Sequence, residues 1–289
     1  MKYGIYYAYW AKEWGGDYAP YVERVKKLGF DILEISCASV PYMSREEIDT
    51  LKRAKDEHGI IITGGYGPKP SENIASADPA IVANTIEFWK KTFPVLYELG
   101  VTIVGGGLYS YWPVDYSKPI DKAADWDRSV KGMRIMADMA AEYGINLGME
   151  VLNRHEGYLL NEASEGVRYV EEVGKPNVKV MLDTYHMNME EESIEEAILL
   201  AGDKLGHLHI GEVNRRLPGA YGRVPWQGIA DALKKIKYDG AVVMEPFVMM
   251  GGQVGADIKV WRDLTHGRDL DEAAAESVQF IRNIFEKKI

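Results

Sequence analysis

The chain carries a single cysteine, Cys37, among its 289 residues, so no disulfide can form within it. Placed after the apolar run I-L-E-I-S, Cys37 reads as a buried thiol rather than a nucleophile. No apolar stretch approaches the roughly 18 residues that mark a membrane span. Long basic runs are missing as well: 34 Lys and Arg stand against 44 Asp and Glu, a net charge of −10. That balance argues against a nucleic-acid-binding surface or an anionic membrane as partner, and fits the solvated acidic face of a soluble protein. After Lys2, the segment Tyr3–Trp10 is too short and too aromatic for the apolar part of a signal peptide, so a cytoplasmic, reducing setting is expected. Linkers and low-complexity tracts are also lacking, which assigns residues 1–289 to one domain.

What the chain does have is 46% hydrophobic residues, enough for a large core, arranged in a strand-then-helix alternation. Tyr3–Tyr7, Asp31–Ile35, Ile60–Thr63, Val101–Val104, Ile145–Met149, Val178–Leu182, Leu205–Leu208 and Ala241–Met244 read as strands. Helices are expected at Tyr18–Leu28, from Ser44 to His58, at Asp78–Leu99 with Pro79 at its start, and at Trp126–Tyr143. Further helices are expected at Glu162–Val173, at Ile194–Ala201, from Pro225-Trp226 to near Gly240, and at Leu270–Phe285. Glycines follow most of these helices, as Gly29, Gly59, Gly100, Gly144, Gly174 and Gly202. Pro94 lies inside the third helix and predicts a kink or break there. Strand–helix pairs in this number make a (β/α)8 TIM barrel, a fold of about 250 residues. The competing open, doubly wound sheet would normally carry a glycine-rich fingerprint after its first strand, where this chain has Y-Y-A-Y-W.

Four successive strands end on residue types that bind metals: Glu150 in G-M-E-V, Asp183 in V-M-L-D, His209 in H-L-H and Glu245 in V-M-E. In a barrel these ends neighbour one another around half of the mouth, at the C-terminal ends of the strands where such barrels keep their chemistry. Any one of them alone reads equally as a polar residue satisfied under a loop. Together they place three carboxylates side by side, which repel unless a cation neutralises them. A mostly oxygen, one-imidazole set favours Mn²⁺, Mg²⁺ or Co²⁺ over a structural zinc. Glu156, His186 and Arg215 follow by three to six residues and fall on the loops above, where they offer donors and acceptors to a neutral polyhydroxylated ligand. Arg215 and Glu156 pairing as a surface bridge is the plainer reading of those two. Tyr6, Trp14, Tyr66, Tyr109, Trp112 and Phe247 are candidates to line the mouth and pack on sugar C–H faces, Tyr6 and Trp112 first among them.

Taken together, Y-Y-A-Y-W, G-Y-G-P, L-Y-S-Y-W-P-V-D, G-M-E-V-L-N-R, V-M-L-D-T-Y-H-M-N, G-E-V-N-R, M-E-P-F-V-M-M-G-G-Q-V-G and D-I-K-V-W-R-D resemble the D-tagatose 3-epimerase family over essentially the whole chain. The resemblance implies a Mn²⁺- or Co²⁺-dependent ketose 3-epimerase, usually a homodimer or homotetramer, acting on free ketohexoses such as D-fructose and D-allulose. It implies that Glu150, Asp183, His209 and Glu245 bind the metal and that Glu150 and Glu245 double as the acid–base pair. It implies substrate contacts from Glu156, His186 and Arg215 at the O1–O2 end of the sugar. Two departures stand out: Gly107, where relatives often have a slightly larger small residue, and the loop Pro218–Arg223, one residue longer than usual. An aldose–ketose isomerase on the same barrel, a metal-dependent DNA-repair endonuclease and a non-catalytic sugar-binding barrel are the alternatives. The endonuclease would want more than the six histidines present and a basic face.

Overall fold

The computed structural model describes residues 1–287. Its strands are β1 (Lys2–Tyr6), β2 (Ile32–Ser36), β3 (Ile61–Gly65), β4 (Ile103–Gly106), β5 (Asn146–Glu150), β6 (Val178–Asp183), β7 (Leu205–Ile210) and β8 (Ala241–Met244). They pair in parallel in chain order, and β8 closes onto β1 with Gly4 beside Val243. The expected (β/α)8 barrel is the fold. Buried on both faces, the strands read as near-continuous apolar runs, which is the pattern parallel sheets require.

The outer helices are α1 (Ala19–Leu28), α2 (Arg45–His58), α3 (Pro79–Glu98), α4 (Lys122–Ala141), α5 (Ala163–Val173), α6 (Thr184–Glu190), α7 (Ile194–Ala201), α8 (Trp226–Lys235), α9 (Gly252–Asp257) and α10 (Leu270–Phe285). Local chemistry sets their ends. Ser44 and Glu47 form a reciprocal capping box at the start of α2. Gly29, Gly59 and Gly174 take the left-handed conformation after α1, α2 and α5.

Several boundaries differ from the sequence expectation, each for a physical reason. The helix α3 runs unbroken through Pro94. Phe88, Trp89, Phe93 and Leu96 anchor it in the core, and Lys90, whose carbonyl Pro94 leaves without a helical donor, is exposed. The start of α4 lies one turn before Trp126, because Asp121 caps Ala124 ahead of the apolar spacing. Strands β3 and β4 extend into glycines that the sequence suggested were loop, because neighbouring residues such as Cys37, Met181 and Tyr66 approach too closely for a side chain. A Cβ on Gly105 would stand 2.3 Å from the Met181 sulfur. The short helices α6 and α9 carry too few turns to show a period.

One irregularity positions the site. Between β6 and β7 the register runs Val180 to Leu205 and then Met181 to His207, so Gly206 is an extra residue in β7. Its effect is to set Asp183 level with His209; in an unbroken register Leu208 would stand there. Gly206 is needed for this, since a Cβ on it would meet the Lys179 Cβ at 2.4 Å.

Candidate active site

Strand ends bring the four sequence candidates to one point. Glu150 is the last residue of β5, Asp183 the last of β6, His209 the penultimate residue of β7, and Glu245 follows β8 directly. One ligand atom from each lies within 4.8 Å of all the others. The ring Nδ1 of His209 faces Glu150 Oε1 at 3.9 Å and Glu245 Oε1 at 3.6 Å. Asp183 divides its two oxygens. Oδ1 caps α6 by accepting from the Tyr185 backbone N–H at 2.8 Å, and Oδ2 faces the cluster. The helix α6 thus fixes the rotamer of the carboxylate that starts it.

Above the cluster, Arg215 is buried and joins three acidic residues. Its Nη1 donates to Glu245 Oε2 at 2.6 Å and to Asp183 Oδ2 at 3.3 Å, and its Nη2 donates to Glu156 Oε1 at 3.2 Å. The guanidinium lies 3.8 Å from the Tyr185 ring centroid, a stacking geometry that favours Arg over Lys. The Arg215 backbone is left-handed, with φ of 61°, and its carbonyl accepts from Phe247 N–H at 2.8 Å. The sequence alternative of a surface bridge to Glu156 is half right: the pair exists, but inside the site. Burial works against the Glu156 carboxylate, yet Arg215 beside it outweighs that cost and holds its pKa down at about 2.

His186 sits on α6, 2% exposed. Its Nδ1 accepts from the Asn153 backbone N–H at 3.1 Å and from the Asn153 side-chain amide at 2.7 Å. With Nδ1 an acceptor, the ring proton belongs on Nε2, which points toward Glu150 and Asp183 at 3.6 and 3.8 Å. Burial lowers the His186 pKa, so the ring is a neutral N–H donor.

These groups floor a cavity of about 350 Å³ walled by Tyr6, Trp14, Tyr66, Trp112 and Phe247. Trp14 stands edge-on to Trp112 at 6.1 Å, and its indole N–H donates to Asp257 of α9 at 2.7 Å. Tyr109 is the exception among the aromatic candidates. It lies behind the wall, with its hydroxyl donating to the Glu150 carbonyl at 2.7 Å, so it supports the end of β5 instead of facing the cavity. Gly107 does line the cavity, and a Cβ there would meet only Leu152 Cδ1 at an ordinary 3.6 Å. Among the described residues the cations in the lining are Arg215, whose two Nη atoms bond carboxylates, and the exposed Lys69. That is a poor cradle for a phosphate and a good one for an uncharged ligand.

Sequence reasoning missed Glu34, Asn153 and Glu212. Glu34 is fully buried in β2 and bonds His207, His209 and Thr63 inside the barrel. Glu212 gathers the following loop by accepting from Trp226 Nε1 at 2.9 Å and Arg223 N–H at 3.0 Å. A carboxylate inside an apolar strand run and the inward pair His207 and His209, two residues apart, were the signals available for Glu34.

The residues present fit a divalent cation. His209 Nδ1 is buried without a hydrogen-bond partner and aimed at the cluster. Burial raises the Glu150 carboxyl well above the usual carboxylate range, and the Glu245 charge beside it raises it further. A lone pair without a donor and three crowded carboxylates are both satisfied by one hard cation.

Residues 22–284 match the family of xylose isomerase-like TIM barrels. D-psicose 3-epimerase of Ruminiclostridium cellulolyticum is 52% identical over 289 residues, covering 99% of this chain and 98% of the relative. That of Agrobacterium fabrum is 50% identical over 285 residues, covering 98% of each. A crystal structure of D-psicose 3-epimerase with D-tagatose, from Clostridium cellulolyticum H10, superposes with a TM-score of 0.97 at 52% identity, covering 99% of each chain. Another, determined in the presence of D-fructose, gives 0.97 at 50% identity, covering 99% of this chain and 100% of the other. The chain belongs to the ketose 3-epimerase family.

Proposed function

We propose that this protein is a metal-dependent ketose 3-epimerase that interconverts D-fructose and D-allulose (D-psicose), and related ketoses, through a cis-enediolate. What carries the reading is the convergence of Glu150, Asp183, His209 and Glu245 in a chain 52% identical, end to end, to a D-psicose 3-epimerase. Those four residues would hold Mn²⁺ or Co²⁺, with Mg²⁺ as a further candidate. The chemistry supplied by such an ion is polarisation of the sugar carbonyl and stabilisation of the negative charge that develops next to it.

Inversion at C3 needs a base on one face of the carbon and an acid on the other. Glu150 and Glu245, from strands on opposite flanks of the cluster, take these parts, and they exchange them when the reaction runs in reverse. Arg215 fixes Glu245 by a 2.6 Å hydrogen bond. The Nε2–H of His186, the guanidinium of Arg215 and the Glu156 carboxylate hold the O1–O2 end of the sugar. Tyr6, Trp112 and Phe247 cover its C–H faces and, with Gly107 in the wall, limit the water that reaches the enediolate. We further propose a homodimer or homotetramer, from the family resemblance, and, from the sequence, one-domain protomers in a cytoplasmic setting.

Metal removal tests the reading. Dialysis against a chelator is expected to bring conversion of D-fructose to D-allulose to background, and Mn²⁺ or Co²⁺ to restore it. Mn²⁺ at about one hundred times its Kd should also raise the unfolding free energy by about 2.7 kcal/mol. Full activity in metal-free protein overturns the proposal.

A further inference from the structure

We infer that Glu34 is the positioning residue for His209, orienting its ring for the metal, with Thr63 and His207 holding Glu34 in place. The inference rests on the four-residue cluster being the metal site and adds a residue to it that touches neither metal nor sugar. Glu34 lies mid-strand in β2, 0% exposed, with apolar neighbours on either side. Its Oε1 faces His209 Nε2 at 2.5 Å. Its Oε2 faces His207 Nε2 at 2.8 Å and accepts from Thr63 Oγ1 at 2.8 Å. Among the described residues no lysine or arginine bonds this carboxylate, so the two imidazoles and the Thr63 hydroxyl are its side-chain partners.

An ionised carboxylate is an acceptor only, so each facing Nε2 must carry the ring proton. That assignment leaves both Nδ1 atoms as bare lone pairs, and both are buried without a partner in the protein. For His209 the bare Nδ1 is the atom turned toward Glu150 and Glu245. The other neutral tautomer would aim an N–H into the cluster that would hold the cation. Glu34 therefore selects the tautomer and holds the ring plane in one step, as outer-sphere carboxylates do for metal-bound imidazoles.

The bracing is equally specific. Held at one oxygen only, the carboxylate could rotate and release His209; bonds to Thr63 on β3 and His207 on β7 pin the second oxygen. Glu34 and Thr63 are direct register partners across the β2–β3 pair. Ligand atoms of Glu34, His207 and His209 also lie within 4.8 Å of one another, but a cation among them would have to displace the two N–H bonds that occupy the carboxylate.

The test is Mn²⁺ binding to the Glu34→Gln protein by titration calorimetry, with the visible spectrum of the Co²⁺ form and the metal-free Tm beside it. Glutamine keeps the shape but loses the charge and one acceptor oxygen. Mn²⁺ is expected to bind about 10- to 100-fold more weakly, with altered Co²⁺ bands and a metal-free Tm close to that of the parent. A Kd within about twofold of the parent, or an unchanged Co²⁺ spectrum with only a lowered Tm, overturns the inference. Should Glu34→Gln fail to fold, Thr63→Val replaces it, removing one brace without changing shape; a weakened Kd supports the inference and an unchanged one overturns it. Two Mn²⁺ per parent chain would assign the Glu34 group a cation of its own and likewise overturn it. A parent chain that binds no Mn²⁺ defeats the underlying metal-site reading instead.

Discussion

Glu150→Gln and Glu245→Gln should each lower turnover of D-fructose by about 10³-fold or more, while sugar binding largely survives. Glutamine fills the same space and retains an oxygen, so cavity shape and aromatic walls persist. What it lacks is the charge of a metal-binding carboxylate and the capacity to take or return a proton, and inversion at C3 needs both transfers. Each substitution alone therefore stops the reaction in both directions. Loss of fold is not the expected cause. Glu150→Gln removes one charge from three crowded carboxylates, so the metal-free protein should unfold at no lower a temperature than the parent. Initial rates with D-fructose and with D-allulose, together with calorimetric sugar binding, check this. Near-normal rates in either variant contradict the two-carboxylate scheme.

Arg215 carries the next largest effect. Its guanidinium meets Glu245, Asp183 and Glu156 at 2.6, 3.3 and 3.2 Å in a buried setting. Removing the cation leaves those charges without a partner. Arg215→Leu should destabilise the metal-free protein by about 3–5 kcal/mol in chemical unfolding. Arg215→Lys keeps the charge, but a point charge cannot span three carboxylates or stack on Tyr185. It should retain most of the stability and still lose about 10²-fold in kcat/KM, because misplacing a positioned group by about 1 Å costs that much. Parental kinetics in the lysine variant would show that the fork geometry is unimportant.

The barrel and the four strand-end residues were readable because their signals are local: an apolar run, a charged or imidazole terminus, then a glycine-punctuated helix. Glu156, His186 and Arg215 were readable by their spacing after those termini, and the structure brings all three into the cavity. Glu34 was not, because its partners lie 29, 173 and 175 residues away and only barrel closure brings them together. The extra residue Gly206 escaped for a similar reason. A bulge is a relation between two strands, and neither strand shows it alone. Tyr109 was misplaced because an aromatic residue in a mouth loop reads the same whether it faces the cavity or props the strand behind it. The break expected at Pro94 failed because tertiary burial of one helix face outweighs a single missing hydrogen bond.

The reaction in D₂O is the most direct test of the central claim. Purified protein with Mn²⁺ and D-fructose should yield D-allulose, resolved by chromatography, with deuterium at C3 by NMR and none at C1. An aldose product, or label at C1 with C3 left as protium, would mean that the proton moves between C1 and C2 and would contradict the assignment as a 3-epimerase.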